Sequence, residues 1–258
     1  MLPLWIEILI GLGTGLVVGI TGASGVLLVV PLLTIIMGVP MQIAIGTSLF
    51  VDVITSAIVM ISYYHHGSVN LKAAFWLAIG AILGAQAGAH FSNLVISSNG
   101  KILNIGFLVF LFAMAISMWF KKTDKPIDEE KPHRLAVMNW RNRLITFGIG
   151  LALGINSGLF GAGGGMAFFL VLLLIFKYPT KLAIGTSTTI MALTAISGTA
   201  AYAIHGSVDY SVGVIIAIAA SAAGLASARL AHKIPEKVLN RLVGAIFVAI
   251  GILMIVLK

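Results

Sequence analysis

The sequence predicts an all-α polytopic membrane protein made of two inverted-topology repeats, each of five hydrophobic segments with the first two short or re-entrant. Three observations carry that prediction. Apolar residues make up 59% of the 258 and charged residues only 9%, against roughly 25% charge in a soluble domain, so the chain lacks the polar surface that water demands. The second half lies on the first, without gaps, at a shift of 139 positions. The cations gather on one side when the apolar segments are threaded back and forth.

In the first copy the segments are 4–20, 26–37, 41–64, 71–95 and 102–120; in the second they are 144–154, 165–176, 181–204, 210–231 and 239–257. The longer ones reach about 20 residues, enough to cross a hydrocarbon core of about 30 Å as helix. A transmembrane barrel would alternate apolar and polar residues over roughly 10-residue stretches, and a run such as 107–114 does not alternate. The domain organisation is therefore a first repeat over 1–120, a basic cytoplasmic linker over 121–143 and a second repeat over 144–258. Met1 to Ile10 carries Glu7 and no cation, unlike a cleaved signal, so the first helix is expected to stay.

The duplication is clearest in its motifs. Ile43-Ala44-Ile45-Gly46-Thr47-Ser48 falls on Leu182-Ala183-Ile184-Gly185-Thr186-Ser187, and His66-Gly67-Ser68-Val69 on His205-Gly206-Ser207-Val208. Pro40 meets Pro179, Tyr63 meets Tyr202, and 12 of the 30 pairs over 40–69 are identical.

Charge sets the orientation. With the linker's seven cations in the cytoplasm and an odd number of crossings per copy, Lys72, Lys177, Lys181, Arg229, Lys233, Lys237 and Arg241 join them, leaving only Lys101 and Lys258 outside. An even number would split the cations nearly equally. The copies are thus expected to be inverted, with both termini outside, and the formal charge of +8 calls for no nucleic-acid partner. Inverted repeats recur in secondary transporters, whose sites lie between the repeats near mid-membrane. The second segment of each copy, about 12 residues or 18 Å as helix, leaves open whether the first two segments are short crossings or one re-entrant hairpin.

Several groups are candidates for a site. Gly22-Ala23-Ser24-Gly25 and Gly161-Ala162-Gly163-Gly164-Gly165 precede apolar segments. Such glycines can let successive N–H groups converge on an anion beside a helix N-terminus, or simply permit close helix packing. The hydroxyls of Gly46-Thr47-Ser48 and Gly185-Thr186-Ser187 can contact a substrate, or bond the carbonyl one turn back. Asp52 is the one acid far from a predicted membrane end, with Met191 as its counterpart. An acid at that depth is a functional-site candidate by default, either coupling a proton or sodium ion or serving as a buried structural acid. His66 and His205 read as helix-end turn residues rather than proton relays, and Arg229 as an interfacial snorkel. With no cysteine, no metal-ligand spacing and no nucleotide-binding sequence, the chain is not expected to be an enzyme or to hold a cofactor.

Glycine cluster, proline, Ala-Ile-Gly-Thr-Ser and His-Gly-Ser-Val, repeated in both halves, resemble the TauE/SafE family of sulfite exporters over nearly the whole chain. The first glycine cluster is poorer in glycine than the second, and Leu170 stands opposite Pro31. The resemblance implies a multi-pass protein of the cytoplasmic membrane that exports a small sulfur-containing anion such as sulfite, thiosulfate or an organosulfonate. Alternating access is the expectation from the two inverted copies, and a gradient is the expected energy source because no nucleotide-binding sequence is present. The rival readings are an uncoupled anion channel using the same site and, far behind, a membrane-embedded enzyme or sensory subunit.

Overall fold

The computed structural model describes residues 4–96, 139–160 and 164–256. Those residues form α1 (Leu4–Thr21), α2 (Val26–Ile36), α3 (Met41–His65), α4 (Leu71–Ile96), α5 (Trp140–Phe160), α6 (Gly165–Leu174), α7 (Thr180–Ile204), α8 (Tyr210–Lys233) and α9 (Glu236–Val256), with no strand among them. The expected segment 102–120, most of the linker, Gly161 and Gly163 lie outside the described residues. Helices α1, α3, α7 and α8 are each long and apolar enough to cross a membrane. Helix α5 starts at Trp140, so Arg141 and Arg143 occupy its first turn.

Helix ends follow directly from the repeated motifs. Pro40 and Pro179 stand at the N-caps of α3 and α7, at φ −52° and −53°, where a missing N–H costs the helix nothing. At the other end, His66-Gly67-Ser68 closes α3: Gly67 takes φ +68°, its N–H donates to the Tyr64 carbonyl at 2.9 Å, and Ser68 N–H donates to Tyr63 at 2.9 Å. Gly206 at φ +65° repeats the pattern after α7. This pair of bonds with a left-handed glycine is the Schellman cap, so the two histidines are helix C-cap residues, as expected from sequence.

Small residues decide which helices pair. Gly11, Gly15 and Gly19, one turn apart on α1, press against Ile216 to Ala220, Ala220 to Gly224, and Gly224 to Ala228 of α8, so the two helices run parallel at backbone contact. The same arrangement recurs 139 residues later, where Gly150 and Gly154 of α5 lie on Leu77 and Ala81 of α4. Close approach over small residues is the dominant attraction between helices in lipid, where burial of apolar surface gives no net drive.

Helices α3 and α7 run antiparallel between these pairs. A Cβ at Gly46, early in α3, would overlap the carbonyl of Ser207 beyond the end of α7, and one at Gly185 would overlap the carbonyl of Ser68. Helix α2 folds back on α1, with Val29, Val30 and Leu33 in one cluster with Ile10, so α1 and α2 form a hairpin. Its turn needs Gly22 at φ +64°, a left-handed conformation that costs a side chain dearly.

Candidate functional site

The hairpin turn of the first copy ends on Asp52. Asp52 lies near the middle of α3 and is 1% exposed, where an uncompensated charge costs several kcal/mol. Two donors from the turn meet it: Ser24 Oγ–H donates to Oδ2, and Gly25 N–H donates to Oδ1 at 2.9 Å. Val26 N–H donates in turn to Ser24 Oγ at 3.2 Å. The carboxylate thus sits at the N-terminus of α2, where the helix presents unpaired N–H groups and a partial positive charge. A carboxyl group supplied by the protein itself fills that position.

The start of α6 meets the first turn. A Cβ at Gly165 would come 2.7 Å from Ser24 N and 2.7 Å from Met191 Sδ, so glycine is required for this close approach. Met191 occupies on α7 the position that Asp52 holds on α3, and it packs on the second tip through a thioether instead of hydrogen bonds.

Beside the two tips lies a cavity of about 170 Å³. Ser24, Asp52, Gly164 and Met191 line it together with Ile45 and Leu49 of α3, Gln86 of α4, Ser157 of α5, and Thr194, Ser197 and Tyr202 of α7. It therefore reaches from the tips to the end of the bundle where α3 begins and α7 ends. Toward the opposite end the structure is packed. Ser187 Oγ–H donates to the Gly22 carbonyl at 3.2 Å, and Tyr63 Oη–H donates to the Gly19 carbonyl at 2.9 Å. Beyond them the His66 and His232 rings stack at 4.0 Å, and Lys181 Nζ donates to the His232 carbonyl at 2.8 Å.

Of the residues singled out from sequence, Ser24, Asp52 and Gly164 line the cavity, and Gly25 and Gly165 adjoin them in the two tips. The Gly-Thr-Ser triplets stand elsewhere. Thr47 Oγ1 accepts from Asp209 N–H at 2.9 Å, and Thr186 Oγ1 accepts from Asn70 N–H at 3.0 Å, each tying the loop after one copy's central helix to the other copy. Gly46 and Gly185 make room for those loops. Ser48 bonds the Ile45 carbonyl at 2.9 Å, and Ser187 divides its bonding between Ile184 and Gly22.

Gln86, Thr194, Ser197 and Tyr202 were missed in the sequence. Gln86 carried a usable signal, because it is the only polar side chain between Lys72 and His90. Among the described residues no group of three His, Asp or Glu side chains can hold a metal ion.

Comparison with known proteins places the chain in a family. A family model described as sulfite exporter TauE/SafE matches residues 7–254. The chain is 26% identical to the probable membrane transporter protein YunE of Bacillus subtilis, over 95% of each chain. It is 31% identical to the probable membrane transporter protein MJ0441 of Methanocaldococcus jannaschii, over 92% of this chain and 88% of that one. A probable membrane transporter protein of Xylella fastidiosa is 28% identical over 93% and 90%. No solved structure matches the chain.

Proposed function

Because the chain belongs to the TauE/SafE sulfite exporter family of multi-pass membrane transporters and is not an enzyme, we propose that it is a secondary-active carrier of a small sulfur-containing anion. Sulfite, thiosulfate and organosulfonates are the substrate class, and export is the direction that the family description suggests. The observation that carries the reading is the meeting of the first turn with the start of α6 at one cavity, with Ser24, Gly25, Gly164 and Gly165 at its foot. Backbone N–H groups at helix starts suit an oxyanion, and a space of about 170 Å³ suits a small one.

The copies work as inverted repeats that rock against each other, re-entrant hairpins meeting at mid-membrane. Support comes from the reciprocal contacts of Thr47 with Asp209 and of Thr186 with Asn70, and from the antiparallel course of α3 and α7. The protein sits in the cytoplasmic membrane with the linker and most cations inside and both termini outside. In that frame the cavity opens outward, and the Lys181, His66 and His232 end is cytoplasmic.

The test is counterflow in proteoliposomes. Vesicles preloaded with one unlabelled anion of this class should accumulate a labelled one transiently above equilibrium. Single-channel currents without counterflow would replace the carrier with an uncoupled anion channel.

A further inference from the structure

We infer that the Asp52 carboxylate is an internal competitor for the transported anion, so that one proton must load with each anion. The inference rests on the transport reading above and adds to it the sign of coupling: proton and anion travel together rather than in exchange.

The geometry makes the competition direct. The donors that the first tip presents at the foot of the cavity, Ser24 Oγ–H and Gly25 N–H, both point at Asp52 oxygens. An incoming anion of the same chemistry needs donors of the same kind. While Asp52 is ionised, the anion finds them occupied and meets a negative charge in a site of low dielectric, where like charges repel strongly.

Adding one proton to the carboxylate removes both obstacles. The neutral acid is a weaker acceptor, so the serine hydroxyl and the glycine N–H become available, and the acid O–H is itself a new donor. The balance is one proton onto Asp52 for one anion into the cavity, and both leave when the site opens on the other side. No covalent bond is made or broken.

Among the described residues, Asp52 is the only charged side chain that lines the cavity. Helices α2 and α6 carry no titratable residue, and α1 carries only Glu7, which lies toward Asp209 at its start. Helix α4 contributes Gln86 to the lining and carries Lys72 in its first turn and His90 four residues beyond Gln86, and α5 holds Arg141 and Arg143 in its first turn. On α8 the groups are Tyr210 at the start and Arg229, His232 and Lys233 near the end. On α7, Lys181 bonds His232 at the closed end, leaving the Tyr202 phenol as the other titratable group on the lining.

Co-loading is compatible with export. A dianion with one proton still carries net negative charge, and an interior-negative potential drives such a complex outward.

Binding of thiosulfate and of methanesulfonate to the purified protein tests this, because both keep a fixed charge across neutral pH. For whichever binds, the wild type should lose affinity tenfold per pH unit once Asp52 ionises, the slope of one linked proton. Asp52→Asn, a neutral isostere, should bind with no slope. As an independent measure on the wild type, anion addition in weak buffer should take up a proton from solution. An affinity that is flat or rises with pH, or proton release on binding, would overturn the inference while leaving the carrier intact. Failure of both anions, and of sulfite, to bind at any pH would overturn the transport reading itself.

Discussion

In the first copy the turn between α1 and α2 closes on a carboxylate, with Ser24 and Gly25 donating to Asp52; in the second, Met191 stands at the same point of the repeat and presents a thioether to Gly165. The copies also share a left-handed residue after the second helix of each, Gly38 at φ +62° and Lys177 at φ +52°. Duplication therefore fixed the frame, and divergence at the tips differentiated the copies. A second pair shows the same division. Tyr63 is fully buried and bonds the Gly19 carbonyl, whereas its counterpart Tyr202 lines the cavity.

The largest effect should come from crowding the point where the tips meet. Gly165→Val would drive its side chain into Ser24 N and Met191 Sδ, each already 2.7 Å from a Cβ. Overpacking of this kind costs about 1–3 kcal/mol, and counterflow should be abolished even in protein that purifies well. Asp52→Asn comes next: transport driven by a proton gradient should disappear, with binding still measurable by calorimetry.

The tyrosine pair should then separate two kinds of damage. Tyr63→Phe removes a buried hydrogen bond and should lower the thermal midpoint, by about 0.5–1.5 kcal/mol of stability, with little change in affinity. Tyr202→Phe should change affinity and leave the midpoint nearly untouched. Equal effects from both would mean that the copies are not differentiated in this way. Thr47→Val and Thr186→Val should each destabilise by about 1 kcal/mol, and by similar amounts, because each orphans the equivalent loop N–H. The smallest change is expected of Met191→Leu, a volume-conserving swap that costs under about 1.5 kcal/mol and should preserve transport.

Much of the frame was legible because the duplication aligned weak signals with each other. The expected segments 41–64 and 181–204 became Met41–His65 and Thr180–Ile204, since a proline and a His-Gly pair bracket each helix with local chemistry. The start of α5 was misjudged by four residues, because Arg141 and Arg143 look like linker although cations sit comfortably in an exposed first turn. Charge parity is the same for a hairpin and for two crossings, and the packing of α2 back onto α1 is common to both.

The site was half legible. Asp52 stood out as an acid where lipid permits none without a partner, and the glycine clusters marked the tips. The place of the threonines was not legible because helices apolar on all sides do not reveal which face points inward. Thr47 and Thr186 turned out to face loop N–H groups of the opposite copy. Thr194 drew no attention for the same reason, and Tyr202 stood out only as the counterpart of Tyr63.

The chain contains no cysteine, so Ser197→Cys places a single thiol on the cavity wall and reports directly whether that cavity is the anion's path. With a membrane-impermeant maleimide, labelling in sealed vesicles should occur from the side of the termini and slow in proportion to methanesulfonate occupancy. A labelling rate indifferent to an anion that the same protein carries in counterflow would contradict the account.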